Sequence, residues 1–406
     1  MFPLSMKRFV FSLFLLVSVF SLSCSFCLSF VDGLIIDADA DLIYVDDDIG
    51  ADYVSIQQAI DEASEDATIF VSSGFYNETV VIDKRLTLLG ENNETTIIDG
   101  GKRSDVVTIS SDGVCFSGFT IQNSSSTVRN GWWRAGIRII ASDVLVENNI
   151  IRNNLNGVFV KRVENLSVRN NLFYDDSLTF YPYDADFDPR PDLKRIHYDH
   201  VIEDNLVNDK PLVYMVDESN QMISSDLGQL ILINCTNVSV RNVSISSADF
   251  PVFFVFCENC ALLNCSFFDN QGECTLLNSD DNIVSGNVFT DNFHGLLLDY
   301  GSESNVISKN LFCDNRFCGL ICEFFSNQNK ILFNDFINNS GANAFLIKAF
   351  QNDWHGNYWS DWKGLTHSVF QLFPKIITGT IFESNQRIIS LVDVDLSPQL
   401  EPYGYD

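Results

Sequence analysis

The sequence predicts an all-β solenoid, a single-stranded right-handed parallel β-helix with a short capping helix at its N-terminal end. Three observations carry that expectation: a repeat of 22–24 residues, Asn recurring at fixed places within it, and short β-branched or aromatic runs in between. The segments Asn237–Asn242, Asn259–Asn264, Asn282–Asn287, Asn305–Asn310 and Asn329–Asn334 each hold two Asn five residues apart, and successive copies are offset by 22, 23, 23 and 24 residues. Asp143–Asn148 and Asn165–Asn170 form an earlier pair offset by 22. A third Asn follows five residues on, at Asn153, Asn292, Asn315 and Asn339, with Asp269 standing in once.

One turn of a parallel β-helix holds about three short strands and three bends, so equivalent residues of adjacent coils lie about 4.8 Å apart. Asn tolerates left-handed backbone and bonds to a like neighbour above and below. The expected ladder residues are Asn264, Asn287, Asn310 and Asn334, with Asn292, Asn315 and Asn339 on a second bend. Between bends, alternation sends side chains inward, with Val238, Cys260, Ile283 and Val306 as one inward column and Phe289, Phe312 and Phe336 as another. Gly157, Gly295 and Gly319 open the next strand of their coils.

The two ends follow from the same logic. Val54 to Ala63 places Ile56, Ala59, Ile60 and Ala63 at helical spacing, as a cap over the exposed first coil requires. Trp354 to Trp362, dense in aromatics where the repeat stops, reads as a lid over the last coil. The solenoid is expected over 42–363, followed by an extension over 364–406 that packs on its end or flank. Two excursions interrupt the rhythm: Ser124–Arg134, with Trp132 and Trp133, and the acidic, Tyr- and Pro-rich stretch 175–226. Insertions of this kind lie on one face of a repeat protein and shape its binding surface.

Residues 1–31 read as a secretory signal peptide or an uncleaved anchor: Lys7 and Arg8 precede an apolar run from Phe9 to Leu22, and small residues follow. That places the body of the chain outside the cell, at its surface or secreted. Nine Asn-X-Ser/Thr sequons, among them Asn77, Asn93, Asn165, Asn237 and Asn338, agree with that address but arise easily in an Asn-rich chain. The net charge of −29 argues against nucleic acid, and membrane contact is expected only through the N-terminal segment.

Tyr44-Val45-Asp46-Asp47-Asp48, Ser55-Ile56-Gln57-Gln58-Ala59-Ile60, Gly74-Phe75-Tyr76-Asn77-Glu78 and Thr96-Ile97-Ile98-Asp99-Gly100 resemble the opening of pectin-lyase-like folds. Asn208-Asp209-Lys210-Pro211-Leu212, Gly228-Gln229-Leu230-Ile231 and Gly356-Asn357-Tyr358-Trp359-Ser360-Asp361 resemble the NosD-type β-helix family. The resemblance covers nearly all of 42–363 and implies a class of surface: carbohydrate-binding or sugar-hydrolase-like, with copper delivery as the role for which the family is named.

The catalytic motifs of pectinesterases and polygalacturonases are incomplete in this chain, so the sequence leaves open whether it is an enzyme. Of the polygalacturonase pattern the chain holds Asp280-Asp281 and His294-Gly295, and inverting hydrolysis needs two carboxyls about 6.5–9.5 Å apart; the catalytic candidates are Asp280, Asp281, Asp291 and His294. Asp291 and Asp314, one coil apart, are candidate oxygen ligands for Ca2+. Cys257 and Cys260 have the spacing of a soft-metal pair that would suit copper, with His197 and His200 as a fainter alternative. Stacked core thiols, a Cys235–Cys257 disulfide, or a Cys313–Cys318 pair account for the cysteines equally well, and no cofactor is required. Trp132, Trp133, Tyr181 and Tyr183 offer aromatic faces to sugar rings. The expected function is therefore a surface β-helix that binds glycans or a cell-surface protein along its lateral face. The alternatives are a carbohydrate-active enzyme with a groove under 175–226, and a copper-handling accessory protein.

Overall fold

The computed structural model describes residues 41–48, 50–126, 134–182, 193–362, 374–382 and 388–405. Trp132, Trp133 and Tyr183 lie outside these residues, as does the leader. Leu42–Asp406 forms one compact unit, a right-handed parallel β-helix of about 13 turns. Each coil lays down one short strand on each of three faces. In the N-terminal stack the first face runs through Leu42–Val45, Thr68–Val71, Thr87–Gly90, Cys115–Ser117, Leu145–Glu147, Ser167–Arg169 and Val201–Glu203. The second face runs from Gly74–Tyr76 to Leu206–Val207, and the third from Val80–Ile82 to Leu178–Phe180. A helix, Ile56–Glu62, opens on Ser55, whose hydroxyl accepts from the Gln58 N–H, and buries Ile56, Ala59 and Ile60.

The C-terminal stack repeats the three faces from residue 210 onward. Its third face carries Lys210–Val216, Gln229–Ile233, Val252–Val255, Cys274–Leu277, His294–Asp299, Cys318–Glu323 and Ala342–Ile347. Its core holds a column of rings, Phe267, Phe289, Phe312, Phe336 and Trp359, with centroids 5.3, 4.9, 4.9 and 4.3 Å apart. Those near-parallel rings stack through the coil interior, where Phe267, Phe289, Phe312, Phe336 and Trp359 are buried.

Buried Asn ladders line the bends. Asn287 Nδ2 donates to Asn310 Oδ1 at 3.0 Å, Asn310 to Asn334 at 3.0 Å and Asn334 to Asn357 at 3.0 Å, while each Nδ2 also reaches a backbone carbonyl of the preceding coil. A second ladder climbs through Asn282, Asn305, Asn329 and Asn352, and a third through Asn270, Asn292, Asn315 and Asn339. Asn264 belongs to none of these. It sits one residue before the ladder, exposed, in the left-handed region at φ 52°, and Cys265 takes the ladder place beside Asn287. Asp269 is displaced likewise, and Asn270 joins the ladder instead.

The same one-residue offset corrects the inward column. Val238 aligns with Cys260 and Asn282, whereas Ile283 is 44% exposed and Val306 only half-buried. A slip of one residue exchanges the two faces of a strand. Trp354 to Trp362 is not a lid either: Ile331 pairs with Trp354 and Phe336 with Trp359, so both aromatics belong to a further coil. Beyond it, Lys375–Phe382 and Ile388–Asp395 form an antiparallel hairpin that pairs with Leu346–Ile347 and Trp354.

The 175–226 stretch leaves the solenoid less than expected. Leu178–Phe180, Val201–Glu203 and Leu206–Val207 all remain coil strands. What it does instead is break the third face. Leu178–Phe180 is the edge of a five-stranded sheet, and the chain reverses at Asn208–Asp209, both left-handed, to start a new sheet with Lys210–Val216.

Candidate functional site

Side chains splice the break where backbone pairing stops. Gln229, fully buried, donates from Nε2 to the carbonyls of Leu178 (2.7 Å) and Phe250 (2.8 Å) and accepts from the Leu178 N–H. Asp249 Oδ2 accepts from the N–H groups of Gly157 (2.8 Å) and Ser177 (2.7 Å), and Ser177 Oγ accepts from the Asp249 N–H. Asp176, which accepts from Asn154, lies close enough to Asp249 that two buried carboxylates would repel. Burial pushes the Asp176 carboxyl up to about 7 and Asp249 well above the carboxylate range. In the core at the break, Phe180 packs against Tyr198, His200 and Tyr214 at 5.9, 5.4 and 6.2 Å.

Two stacks meeting without a shared ladder leave a groove on the third face, with a cavity of about 100 Å³. The N-terminal stack supplies Phe159, Thr179 and Tyr181; the C-terminal stack supplies Phe253, Thr275 and Leu297. These are the outward-pointing positions, since Phe159 pairs with Thr179, and Phe253, Thr275 and Leu297 pair in succession. Phe159 and Tyr181 pack with ring centroids 5.1 Å apart, tilted by 36°, and the Arg138 guanidinium covers Phe159 from 4.5 Å while forked onto Asp105 at 3.0 and 3.1 Å. Thr179 Oγ1 and Thr275 Oγ1, on residues only 4% and 3% exposed, have no hydrogen-bond partner among the described residues. Glu273 and Asp299 complete the lining. Burial lifts the Glu273 carboxyl to about 8, with Asp299 adding to it.

Of the described residues singled out in the sequence as candidate site residues, Tyr181 lines this groove and the others do not. Asp280 and Asp281 occupy the bend after Cys274–Leu277, while Asp291 precedes the His294–Asp299 strand and His294 opens it. A strand's length of roughly 15–20 Å therefore separates the pairs, and they form no common centre. Asp281 is an exposed left-handed turn residue, and Asp280 Oδ1 accepts from the Glu303 N–H. His294 packs against Phe293 and Phe317, and burial lowers it to about 4. Glu273 and Asp299 escaped the sequence reading because no motif carries them. The available signal was an acid closing an apolar strand, Gly295-Leu296-Leu297-Leu298-Asp299, where Leu277 stands one coil earlier.

The metal candidates do not fit a copper centre. Cys257 stands in the bend position that Ser279 fills one coil later, and its Sγ donates to the carbonyls of Leu232 and Val255 just as Ser279 Oγ does to Phe254 and Leu277. Cys260 replaces a ladder Asn and donates to the Cys235 carbonyl. Both are 1% exposed, and burial raises the Cys257 thiol away from the thiolate a soft metal needs. All nine described cysteines are free thiols, so neither expected disulfide is formed. His200 stacks on Phe180 with Nε2 at the His197 carbonyl. Asp291 and Asp314 are exposed, successive left-handed bend residues.

The architecture defines the class, a right-handed parallel β-helix. Within it, residues 194–364 match the family model described as periplasmic copper-binding protein (NosD). No curated protein matches the chain. Similar solved structures include the A-module of mannuronan C-5 epimerase AlgE6 from Azotobacter vinelandii, at 15% identity over 75% of this chain and 88% of that one, with a TM-score of 0.31. Pectin methylesterase from carrot is 13% identical over 77% and 82% of the two chains, TM-score 0.25, and pectate lyase Pel9A 12% over 79% and 80%, TM-score 0.27.

Proposed function

We propose that this protein binds glycans outside the cytoplasm, taking one edge of a sugar ring into the groove where the third face breaks. The observation that carries the reading is the pairing of an aromatic wall, Phe159 and Tyr181, with two buried hydroxyls, Thr179 and Thr275, that the protein leaves unpartnered. A buried hydroxyl without a partner costs about 1–3 kcal/mol, and a ligand hydroxyl would satisfy it. Aromatic faces and convergent polar groups are what a pyranose, apolar on its faces and polar at its rim, requires. The cavity is small beside ordinary ligand pockets of roughly 300–1,000 Å³, so the rest of the glycan would lie along the open lateral face. The basic-then-apolar leader of residues 1–31 supports export.

A second reading, a carbohydrate-active enzyme, is favoured by Glu273, an acid that stays protonated near neutral pH beside Asp299 and so suits general-acid chemistry. A glycan array tests binding directly. The wild-type chain should give a defined set of positive glycans, and Tyr181→Ala should lower their signal at least tenfold with its melting temperature kept within a few degrees. Unchanged signal in Tyr181→Ala, or no positive glycan, contradicts the groove as the binding site.

A further inference from the structure

The second face of the N-terminal stack carries a polar row with a surplus positive charge. Thr96–Asp99, Thr120–Gln122, Ile150–Arg152 and Leu172–Tyr174 are consecutive strands of that face, and their last residues pair in succession, Asp99 with Gln122, Gln122 with Arg152 and Arg152 with Tyr174. The residues just before them, Ile98, Ile121, Ile151 and Phe173, are fully buried in the core, so the row points outward. Side chains link it across the coils: Gln122 Nε2 donates to Asp99 Oδ2 at 2.7 Å, and Arg152 Nε donates to Gln122 Oε1 at 3.0 Å. Asn123 Nδ2 and the Gly101 N–H also donate to Asp99, at 2.7 and 2.8 Å.

The Arg152 guanidinium exceeds what the row needs. Elsewhere in this molecule such ladders are made of neutral amides, as in Asn287, Asn310 and Asn334. Here a single N–H serves the ladder, and among the described residues Nη1 and Nη2 of Arg152 make no hydrogen bond or ion pair. Lys102 stands on the bend after Asp99, exposed and left-handed at φ 58°, with its N–H on the Asn123 carbonyl and its ammonium in no ion pair among the described residues. Arg103 beside it, also exposed, donates to the carbonyls of Gly100 and Asn77. The nearby acids are engaged or displaced: Asp99, 6% exposed, is surrounded by donors, while Asp175 and Asp209 lie at the Tyr174 end, where the phenol donates to Asp209 at 3.3 Å. Alongside the row runs a half-buried apolar strip that also points outward, Ile97, Ile150, Leu172 and Leu206, interrupted once by Thr120.

We propose that this row is a second binding site, separate from the groove, for an acidic glycan: one oxyanion, carboxylate or sulfate, forked on Nη1 and Nη2 of Arg152, a further one at Lys102, and sugar rings lying on Ile150 and Leu172. Two parallel N–H groups on a planar fork match an oxyanion better than any other side chain does. Arg152 and Lys102 belong to coils two apart, roughly 10 Å along the axis, so a polymer with repeated charges meets both where a small anion meets one. The net charge of −29 opposes this only from a distance, because at 0.15 M salt the field of exposed charges fades over about 8 Å.

Isothermal titration of the full chain at 0.15 M salt, with octasaccharides of polygalacturonate, of sulfated dextran and of neutral dextran, tests the second site. At least one acidic octasaccharide should bind tenfold or more tightly than neutral dextran, and the tighter of the two identifies the oxyanion. Arg152→Gln, which keeps a donor for Gln122, should lower that affinity about tenfold or more, with its melting temperature within a few degrees of wild type. Lys102→Gln should lower it about threefold. Lys309→Gln, which removes an exposed cation of the C-terminal stack, should leave it unchanged. A neutral glycan held by the groove should not displace the acidic one. Neutral dextran binding as tightly, Arg152→Gln binding like wild type, an equal loss in Lys309→Gln, or displacement by the groove's glycan each overturns the second site and leaves the groove reading standing. Failure of both acidic octasaccharides to bind overturns it as well.

Discussion

The C-terminal stack and the break in the third face are built from the same coils yet treat polar groups in opposite ways. In the stack, Asn310 gives both amide functions away: Oδ1 accepts from the Asn287 N–H and Nδ2, and Nδ2 donates to Asn334 and to the Val284 carbonyl. Asn292, Asn315, Asn329 and Asn334 repeat this. At the break no ladder crosses from one stack to the other. Gln229, Asp249 and Ser177 repair most of the backbone, but Thr179 Oγ1, Thr275 Oγ1 and Asp249 Oδ1 stay unpaired and two carboxyls share a dry space. The contrast teaches where this molecule invests in stability and where it keeps chemistry in reserve.

The sharpest way to break the comparison is to damage a rung. Asn310→Ala takes the side-chain acceptor from the Asn287 N–H and Nδ2 and the side-chain donor from Asn334 Oδ1 and the Val284 carbonyl at once, so it should cost about 3 kcal/mol or more. Denaturant titration should show it, and a cost under 1 kcal/mol would mean the ladder is ornamental. The break should respond to pH instead. Asp176 and Asp249 have folded-state pKa values raised above the unfolded ones, so the folded state holds protons that the unfolded chain has released; stability falls as pH rises from about 4 through about 7. Glu273 extends the decline to about pH 8. The melting temperature should therefore drop by several degrees between pH 5 and pH 8, and Asp249→Asn should flatten that slope. An equally steep slope in Asp249→Asn would remove the pair as its source.

The stack was legible because its physics repeats. Asn at bends, Phe289, Phe312 and Phe336 in one column, and Gly295 over Gly319 all follow from coils laid at one spacing. The register was legible only to within one residue. Asn237 and Asn259 are exposed left-handed residues, aligned with Asp281 and Ser304, while the buried ladder runs through the next position at Asn282 and Asn305. Both places favour Asn for different reasons, one for its backbone and one for its amide, and the sequence pattern does not separate them. The groove was less legible still. It arises where two stacks meet, through residues as far apart as Phe159 and Leu297, and only Tyr181 marks it by type. The strand-closing acid Asp299, where Leu277 stands one coil earlier, was the trace it left.

The smallest stability effect is also the most direct measurement. Thr275→Val removes a buried hydroxyl that nothing in the folded protein uses, so its melting temperature should stay equal to wild type or rise slightly, by under 1 kcal/mol of added stability. Its affinity for the glycan found on the array should fall at least fivefold in the same preparation. A Thr275→Val protein that melts earlier yet binds as well as wild type would show the hydroxyl serving the fold, and would contradict the groove as the place where this β-helix meets its ligand.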